Sequence, residues 1–330
     1  MSATRPTDMM RALAEAARLA QRAPSVFNTQ PWRWRVGRNN LELLRDSEGA
    51  LAVTDPAGRQ LLLSCGAALH HARLGLTAAG RRITVTRFPD PAEPDLLARI
   101  DVGGRAVPDA QVRRLRGAIP RRRTDRRPFG ATALPQAVLD RLRVAAQAEQ
   151  TGLHLLGPEQ IPTLAAAATK AAAIELADPA YRRALDEWTH RPPGSGDGVP
   201  AGTAVPAGPR PVPVRDFTPG GTPGLPAGPG DDTGAAYAIL HGSGDDRVDW
   251  LRAGEALSAV LLTSVVEGLA AAPMSDVLEV EESRRLVQSL LPAGRPYLVL
   301  RVGVPVAAEA PPPTPRRRPD TVIGFPLPES

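Results

Sequence analysis

The residues best suited to chemistry form an arginine run near the middle of the chain. Residues 120–130 read PRRRTDRRPFG, so five arginines flank Thr124. A guanidinium group offers forked donors to phosphate oxygens, and a threonine hydroxyl can add one more donor. The run predicts a phosphate clamp that contains Arg122, Arg123, Thr124 and Arg126. A solvated basic turn is the alternative, and it is the commoner outcome for an arginine run taken alone.

A second basic stretch, TPRRRPD, lies near the C-terminus. Its prolines keep the backbone extended, so Arg316, Arg317 and Arg318 could cover a second face of the same phosphate. The alternative is a solvated arm. Nucleic-acid binding is a weaker interpretation of both basic runs, because no aromatic side chains are interleaved with them for base stacking.

A loop near the N-terminus reads RAPSVFNTQPWRW. Pro24 stiffens it, and Ser25 and Asn28 have short polar side chains that can bond the edge of a polar ring, with Gln30 beside them. The loop offers no acid, base or thiolate. We therefore predict a cradle for a planar heterocycle, without a catalytic residue. Trp32 is either a ligand contact or a core anchor at the start of a strand.

Other kinds of site have little support. The single cysteine, Cys65, allows no intrachain disulfide and indicates a reducing compartment. A single cysteine and five histidines with no His-x₃-His pairing argue against a metal site. No Rossmann, P-loop or G-x-S-x-G signature is present.

Composition bounds the partners. A net charge of +5, with 35 acidic residues among 40 basic ones, does not by itself indicate a nucleic-acid partner. The N-terminus has no uninterrupted apolar signal core, and no apolar run approaches the ~20 residues that span a bilayer. We expect a soluble cytoplasmic protein with no membrane or nucleic-acid partner.

Apolar periodicity outlines the elements that would position these residues. Helices are predicted at 8–22, 59–80, 137–148, 161–177, 180–191 as a continuation of the preceding helix, and 249–270. Strands are predicted at 33–36, 41–46, 82–88, 152–157 and 295–305. We interpret residues 89–110 as Pro-rich turns and residues 192–234, which are dense in Gly and Pro, as irregular.

The two long apolar helices carry a repeated pattern. G-x-A-L begins at Gly66 and again at Gly254, and a further glycine follows at the same distance, at Gly80 and at Gly268. An apolar strand comes after each helix. The pattern predicts an internal duplication in which the helices pack across a pseudo-twofold axis, much as in a homodimer. Chance is the alternative, because Gly, Ala and Leu are common in this chain.

The motifs resemble those of a known family. APSVFNTQPW resembles the A-P-S-x-x-N-x-Q-P-W loop of the FMN-dependent nitroreductase superfamily, and RRTDRRPF resembles its R-R-S-x-R-x-F phosphate segment with one extra residue before the Phe. EWTHRPPGSGDGVP, RDF and GRPYLVLRVGVP are similar to stretches of the actinobacterial Acg family within it. The resemblance covers nearly the whole chain. One departure is Phe27, where the superfamily usually has His or another polar residue.

The resemblance implies an α+β nitroreductase-like fold with two pseudo-symmetric halves, residues 1–110 and 111–330, that mimic a nitroreductase homodimer. In such dimers the arginine segment and the A-P-S loop of one site come from different subunits. Each half of this chain retains one of the two, which implies a single FMN site. The implied FMN contacts are Pro24, Ser25, Asn28, Gln30, Trp32, Arg122, Arg123, Thr124, Arg126, Met274, Ser275, Arg316 and Arg317. Residues 192–234 resemble a lid.

The implied function is that of an FMN-binding oxidoreductase that passes a hydride or electrons through the flavin to an unknown small-molecule acceptor. NAD(P)H as the donor stays open, because a lid could exclude a nicotinamide. The alternative is a non-catalytic protein that sequesters or stores FMN under a closed lid. We expect a monomer with internal pseudo-twofold symmetry, or a dimer of such chains.

Overall fold

Two β-sheets and a central pair of long helices organise the chain. The computed structural model describes residues 8–49, 51–192, 194–219 and 221–325. Its helices are α1 (Asp8–Ala20), α2 (Arg59–Ala78), α3 (Ala110–Ala118), α4 (Gln136–Ala148), α5 (Ile161–Ala177), α6 (Pro179–Thr189), α7 (Arg247–Val266), α8 (Asp276–Glu279), α9 (Glu281–Ser289) and α10 (Pro319–Val322). Its strands are β1 (Trp32–Val36), β2 (Asn40–Arg45), β3 (Arg81–Arg87), β4 (Leu96–Arg105), β5 (Gly152–Leu155), β6 (Ala236–Gly242), β7 (Ala270–Met274), β8 (Arg295–Gly303) and β9 (Ile323–Gly324).

Helices α2 and α7 cross at a pair of glycines. A Cβ atom on Gly66 would lie 2.0 Å from the carbonyl oxygen of Leu251 and 2.9 Å from Cα of Gly254, so the crossing requires glycine. Each helix ends just before a glycine in the left-handed region, Gly80 (φ 73°) and Gly268 (φ 75°), which no side chain crowds. The G-x-A-L repeat therefore marks the points where the helices touch and where they stop.

The two sheets have the same internal order. The first runs β3-β4-β2-β1, with β9 added beyond β1, and the second runs β7-β8-β6-β5. Neighbours within each four-strand set are antiparallel. His70 and Ser258, which are 188 positions apart like Gly66 and Gly254, meet at 2.8 Å between Nδ1 and Oγ. The predicted α+β class with two pseudo-symmetric halves is confirmed.

The C-terminal tail crosses from the second half to the first. After β8 the chain runs without regular structure until α10, and β9 then pairs in parallel with β1. Ile323 is the partner of Trp34 in this pairing. The strand pairing therefore holds the basic stretch beside the N-terminal loop, at the interface of the halves.

Several predicted elements are corrected by the structure. Residues 89–110, interpreted as turns, contain β4 in the middle of the first sheet, where Leu96, Ala98 and Ile100 are buried. The flanking prolines hid this strand. The helix predicted to continue over 180–191 is a separate helix, because Asp178 leaves helical geometry and its side chain caps Ala180 N.

Other boundaries also differ. The helix predicted to reach residue 270 ends at Val266, and β7 follows it. The apolar strand that follows α7 and corresponds to β3 is therefore β7, and not the strand predicted at 295–305, which is β8. Apolar periodicity did not predict α3, β6, β7, α8, α9, α10 or β9. No helix in the described part of the chain is long and apolar enough to cross a membrane.

The Gly/Pro-rich segment (residues 192–234, hereafter the Gly/Pro segment) is irregular apart from a 3₁₀ turn at Ala201–Thr203. Its C-terminal end is fixed by Asp232, which accepts from Phe129 N at 2.6 Å and pairs with Arg301. Residues 193 and 220 of the predicted lid lie outside the described residues, as do 1–7, 50 and 326–330 of the predicted halves.

Candidate FMN site

A recess between the halves gathers the arginine run, the N-terminal loop and the tail. The recess contains about 710 Å³ of empty space, part of which is open to solvent. We call it the phosphate chamber. The residues that line it are Arg22, Pro24, Ser25, Asn28, Ile119, Arg122, Arg123, Thr124, Arg126, Val199, Thr203, Pro312, Pro313, Thr314 and Arg316. No Asp or Glu is among the described residues that line it, so the charges that these residues place in its wall are all positive.

Arg122 is buried in the wall of this chamber with only 6% of its surface exposed. Its Nε and Nη1 atoms have no hydrogen-bond partner among the described residues. Burial, followed by the charges of Arg316 and Arg123, lowers the pKa of Arg122 to about 9. A buried cation without a counter-ion or hydrogen bonds is costly, so this geometry favours a bound anion.

Arg316 joins the tail to the N-terminal loop. Its Nη1 donates to Asn28 Oδ1 at 2.9 Å, and Asn28 Nδ2 donates back to the Pro315 carbonyl at 3.1 Å. Its Nε has no partner among the residues described. Burial, followed by the charges of Arg123 and Arg22, lowers the pKa of Arg316 to about 10. Two guanidinium groups that each have an unpartnered Nε atom among the described residues therefore face the same chamber.

The N-terminal loop folds into a strained backbone shape. Phe27, Asn28 and Gln30 have φ values of 46°, 56° and 51°, in the left-handed region that ordinary side chains disfavour. Hydroxyl groups offset this strain, because Ser25 Oγ accepts from Gln30 N at 3.0 Å and Ser64 Oγ accepts from Val26 N at 3.2 Å. The loop is thereby held against α2.

A second recess of about 600 Å³ adjoins the first, and we call it the ring chamber. Pro24, Ser25, Thr124 and Arg126 line both. The other residues that line the ring chamber are Val26, Phe27, Gln60, Leu63, Ser64, Arg215, Phe217, Leu257, Pro273, Ser275 and Leu298. Most of these are apolar, and each central helix contributes one leucine, Leu63 from α2 and Leu257 from α7. A cationic recess thus continues into a largely apolar one.

Arg126 stands where the chambers meet. Its Nη1 donates to the Thr203 carbonyl at 3.1 Å, and its guanidinium lies 4.3 Å from the ring centroid of Phe217. Burial lowers its pKa to about 10, and the charge of Arg215 acts in the same direction. It forms no ion pair with a described residue, so its charge too is left for a ligand.

Sequence comparison gives relatives that cover most of the chain. "Putative NAD(P)H nitroreductase Rv3131" of Mycobacterium tuberculosis is 42% identical over 316 residues, which are 93% of this chain and 90% of the relative. "Putative NAD(P)H nitroreductase acg" of the same organism is 36% identical over 316 residues, 94% of this chain and 95% of the relative. The chain belongs to the Acg family of nitroreductase-like proteins. No family profile matches it.

Solved structures match part of this Acg-family chain. An FMN and NADPH-dependent nitroreductase, NfnB from Sphigopyxis sp. strain HMH, aligns with a TM-score of 0.42 at 20% identity and covers 64% of this chain and 99% of its own. A nitroreductase with bound FMN from Bacteroides fragilis aligns with a TM-score of 0.36 at 11% identity and covers 59% of this chain and 90% of its own.

Ten of the thirteen residues predicted as FMN contacts meet around these chambers in the Acg-family chain. Pro24, Ser25, Asn28, Arg122, Arg123, Thr124, Arg126 and Arg316 line the phosphate chamber, Ser275 lines the ring chamber, and Met274 lines a recess of about 380 Å³ beside it. Arg123 donates to the nearby carbonyls of Pro120 and Arg122, so its side chain is partly engaged.

The other three predicted contacts line neither chamber nor the recess beside them. Trp32 is fully buried in the core of the first half, which makes it a core anchor. Arg317 is held by Asp46 at 2.7 Å. Gln30 is buried, and its Nε2 donates to the Gly196 carbonyl at 2.8 Å, so it fastens the Gly/Pro segment to the loop. These side chains position the walls of the chambers.

Several residues that line the ring chamber were not predicted from the sequence. Leu63 and Leu257 belong to helices that are buried nearly all round, and nothing in such a helix distinguishes a ligand-facing leucine from a core leucine. Arg215 and Phe217 lie in the Gly/Pro segment, where only the sequence RDF offered a signal. Among the described residues, no group of three or more His, Cys, Asp or Glu is placed to hold a metal ion.

Proposed function

We propose that this Acg-family protein binds one FMN per chain and acts as an oxidoreductase that passes a hydride or electrons to a small-molecule acceptor. The observation that carries the proposal is the buried Arg122 guanidinium in the phosphate chamber, whose Nε and Nη1 atoms have no hydrogen-bond partner and which forms no ion pair among the described residues. A phosphate monoester carries about −1.5 to −2 charges near neutral pH and accepts several hydrogen bonds. It would satisfy the unpartnered Nε atoms of Arg122 and Arg316.

The two chambers fit the two ends of FMN. Arg122, Thr124 and Arg316 would hold the phosphate, and Leu63 and Leu257 would flank the planar ring. FMN would supply hydride and electron transfer when bound, whereas the chain orients it and keeps water away. The absence of a dinucleotide fingerprint favours FMN over FAD.

NAD(P)H is the donor that we propose, because relatives that share 36–42% identity with this chain are named NAD(P)H nitroreductases. The proposed location is the cytoplasm, and the proposed assembly is a monomer with internal pseudo-twofold symmetry or a dimer of such chains.

A non-catalytic role in FMN storage is the second candidate, and one observation favours it. The Gly/Pro segment places Val199 and Thr203 on the phosphate chamber and Phe217 on the ring chamber. A segment that lines both chambers can restrict the entry of a donor as well as the loss of the cofactor.

Two measurements test these proposals. The cofactor released by denaturation should run as FMN on a column, and FAD as the main species would overturn the proposed ligand. Anaerobic mixing of the FMN-loaded protein with NADH or NADPH should bleach the flavin absorbance if the protein is an oxidoreductase that uses this donor. Bleaching by dithionite alone would support storage or a different donor.

A further inference from the structure

Phe27 occupies a buried position that links the N-terminal loop to the Gly/Pro segment. Its side chain is 5% exposed and belongs to a cluster with Tyr181, Leu185, Trp188 and Val199, with Leu51 also present. The Phe27 ring lies 6.1 Å from the ring of Phe217 in an edge-on arrangement. The aromatic residue that departs from the superfamily pattern is thus a contact point for the segment that covers the chambers.

Arg215 of the Gly/Pro segment stacks on the same aromatic group. Its guanidinium lies 4.9 Å from the centroid of Phe27, 5.8 Å from that of Tyr181 and 5.9 Å from that of Phe217. Its side chain is only 8% exposed. Contacts of this kind between a cation and aromatic faces are strongest where water is excluded.

Two carboxylates from the body of the protein grip the same guanidinium. Arg215 Nη2 donates to Glu279 Oε2 at 2.7 Å and lies 3.3 Å from Glu175 Oε1. Glu175 belongs to α5 and Glu279 to α8, and both are buried. Ser275 Oγ, at the ring chamber, donates to the other oxygen of Glu279 at 2.8 Å. Arg215 therefore ties the Gly/Pro segment to two helices and, through Glu279, to the chamber wall.

Arg215 differs from the other arginine of the ring chamber. Arg126 lines the chamber without an ion pair among the described residues, whereas Arg215 is paired twice. A guanidinium that is already neutralised gains little from a ligand anion. The pairing therefore indicates a positioning role for Arg215 rather than a ligand contact.

We propose that Arg215 is the positioning residue that fixes the Gly/Pro segment over the ring chamber and sets the N-terminal loop through Phe27. Without it, residues 212–219 would separate from α5 and α8, and the loop at 26–30 would lose the cation above Phe27. The consequence for a bound flavin rests on the proposed function. The consequence for the backbone does not.

The test is hydrogen exchange with mass spectrometry on the full chain, first without cofactor. Arg215→Met combined with Glu175→Gln removes the cation and one buried carboxylate together, which limits the charge left unpaired. We expect exchange in 212–219 and in 26–30 to speed up at least tenfold. Arg59→Ala is the matched control, because Arg59 also pairs with a carboxylate, Asp245, and stacks on an aromatic ring, Trp250, but lines neither chamber. It should leave both regions unchanged.

Dissociation of FMN from the loaded protein is the second readout. It should be at least tenfold faster in the variant that carries Arg215→Met and Glu175→Gln and unchanged in Arg59→Ala, with Arg215→Lys between the two. Exchange that stays at the wild-type rate in both regions would overturn the inference, as would equal effects in the control. If the variant fails to fold, Arg215→Lys decides by the same readouts. Loss of FMN binding in the wild type would refute the proposed function and leave the exchange result standing.

Discussion

In the first half, residues 21–31 join α1 to β1 around the phosphate chamber, whereas in the second half the corresponding connection from α4 to β5 is residues 149–151. The short connection leaves no room for a cradle. Its Glu149 accepts from Arg73 Nη1 at 2.6 Å. Arg73 also pairs with Glu255, which accepts from Arg87 Nε at 2.7 Å. The offset of 188 positions that relates α2 to α7 also makes Arg87 the counterpart of Ser275, which lines the ring chamber.

The two regions share a frame and differ in how their charges are balanced. Around the shortened connection the arginines Arg73 and Arg87 meet carboxylates of the protein, and Glu255 is fully buried between them. In the phosphate chamber neither Arg122 nor Arg316 forms an ion pair with a carboxylate of the described residues. Paired charge indicates a closed structural region, and unpaired buried charge indicates a place prepared for a ligand. The predictions below test this difference.

The largest effect should come from the paired region. Glu255→Gln leaves Arg73 and Arg87 without their shared carboxylate, and breaking a buried pair costs about 3–5 kcal/mol. We expect the lower end, about 3 kcal/mol, because the arginine side chains keep 25% and 21% of their surface exposed. Urea unfolding of the cofactor-free protein measures it. Arg122→Met, the matching change in the phosphate chamber, should not lower the unfolding free energy, and an equal loss would contradict the distinction.

The next largest effect should be on FMN affinity. Arg122→Ala removes a charge-assisted phosphate contact and should cost about 1.5–3 kcal/mol, roughly a ten- to hundred-fold rise in Kd. Arg126→Ala should have a similar effect. Fluorescence titration measures both, with Arg318→Ala as the control, because Arg318 pairs with Asp320 on the surface. Unchanged affinity in Arg122→Ala and Arg126→Ala would show that the run does not hold the phosphate.

FMN affinity should also fall at high pH. The phosphate favours the protonated form of Arg122, whose pKa burial lowers to about 9, so the Coulomb gain is present below that pH and is lost as pH rises through it. One proton limits the loss to about tenfold per pH unit. Titrations between pH 8 and pH 10 check this, and the slope should be shallower in Arg122→Ala. An equal slope in that variant would assign the effect to another group.

A smaller effect is expected from Thr124→Ala. A neutral hydroxyl donor contributes about 0.5–1.5 kcal/mol, so the Kd should rise by roughly two- to twelve-fold. The same titration measures it, with Thr132→Ala as a control because Thr132 does not line either chamber. If the Kd for FMN rose more in Thr124→Ala than in Arg122→Ala, Thr124 and not Arg122 would be the main phosphate contact.

Much of the frame could be predicted from local pattern. The G-x-A-L repeat located both central helices because glycine is required where they cross, at Gly66 and Gly254. The strand β4 was missed because prolines before and after it mimic a turn region. Nine of the thirteen predicted contacts line the two chambers and Met274 lines the recess beside them, since their residue types suit a phosphate or a ring edge. Trp32 packs into the core of the first half, and Arg317 pairs with the carboxylate of Asp46. Both predictions differ from the structure because these contacts form only in the folded chain and leave no local signal in the sequence.

Competition between FMN and riboflavin tests the central claim most directly, because the two ligands differ only in the phosphate. Titration of the cofactor-free protein should give one FMN per chain and an affinity for FMN that exceeds that for riboflavin at least tenfold, roughly the worth of one charge-assisted contact. In Arg122→Ala the difference should shrink toward none. Equal binding of FMN and riboflavin by the wild type, or two equivalents of FMN per chain, would contradict a single phosphate-anchored site.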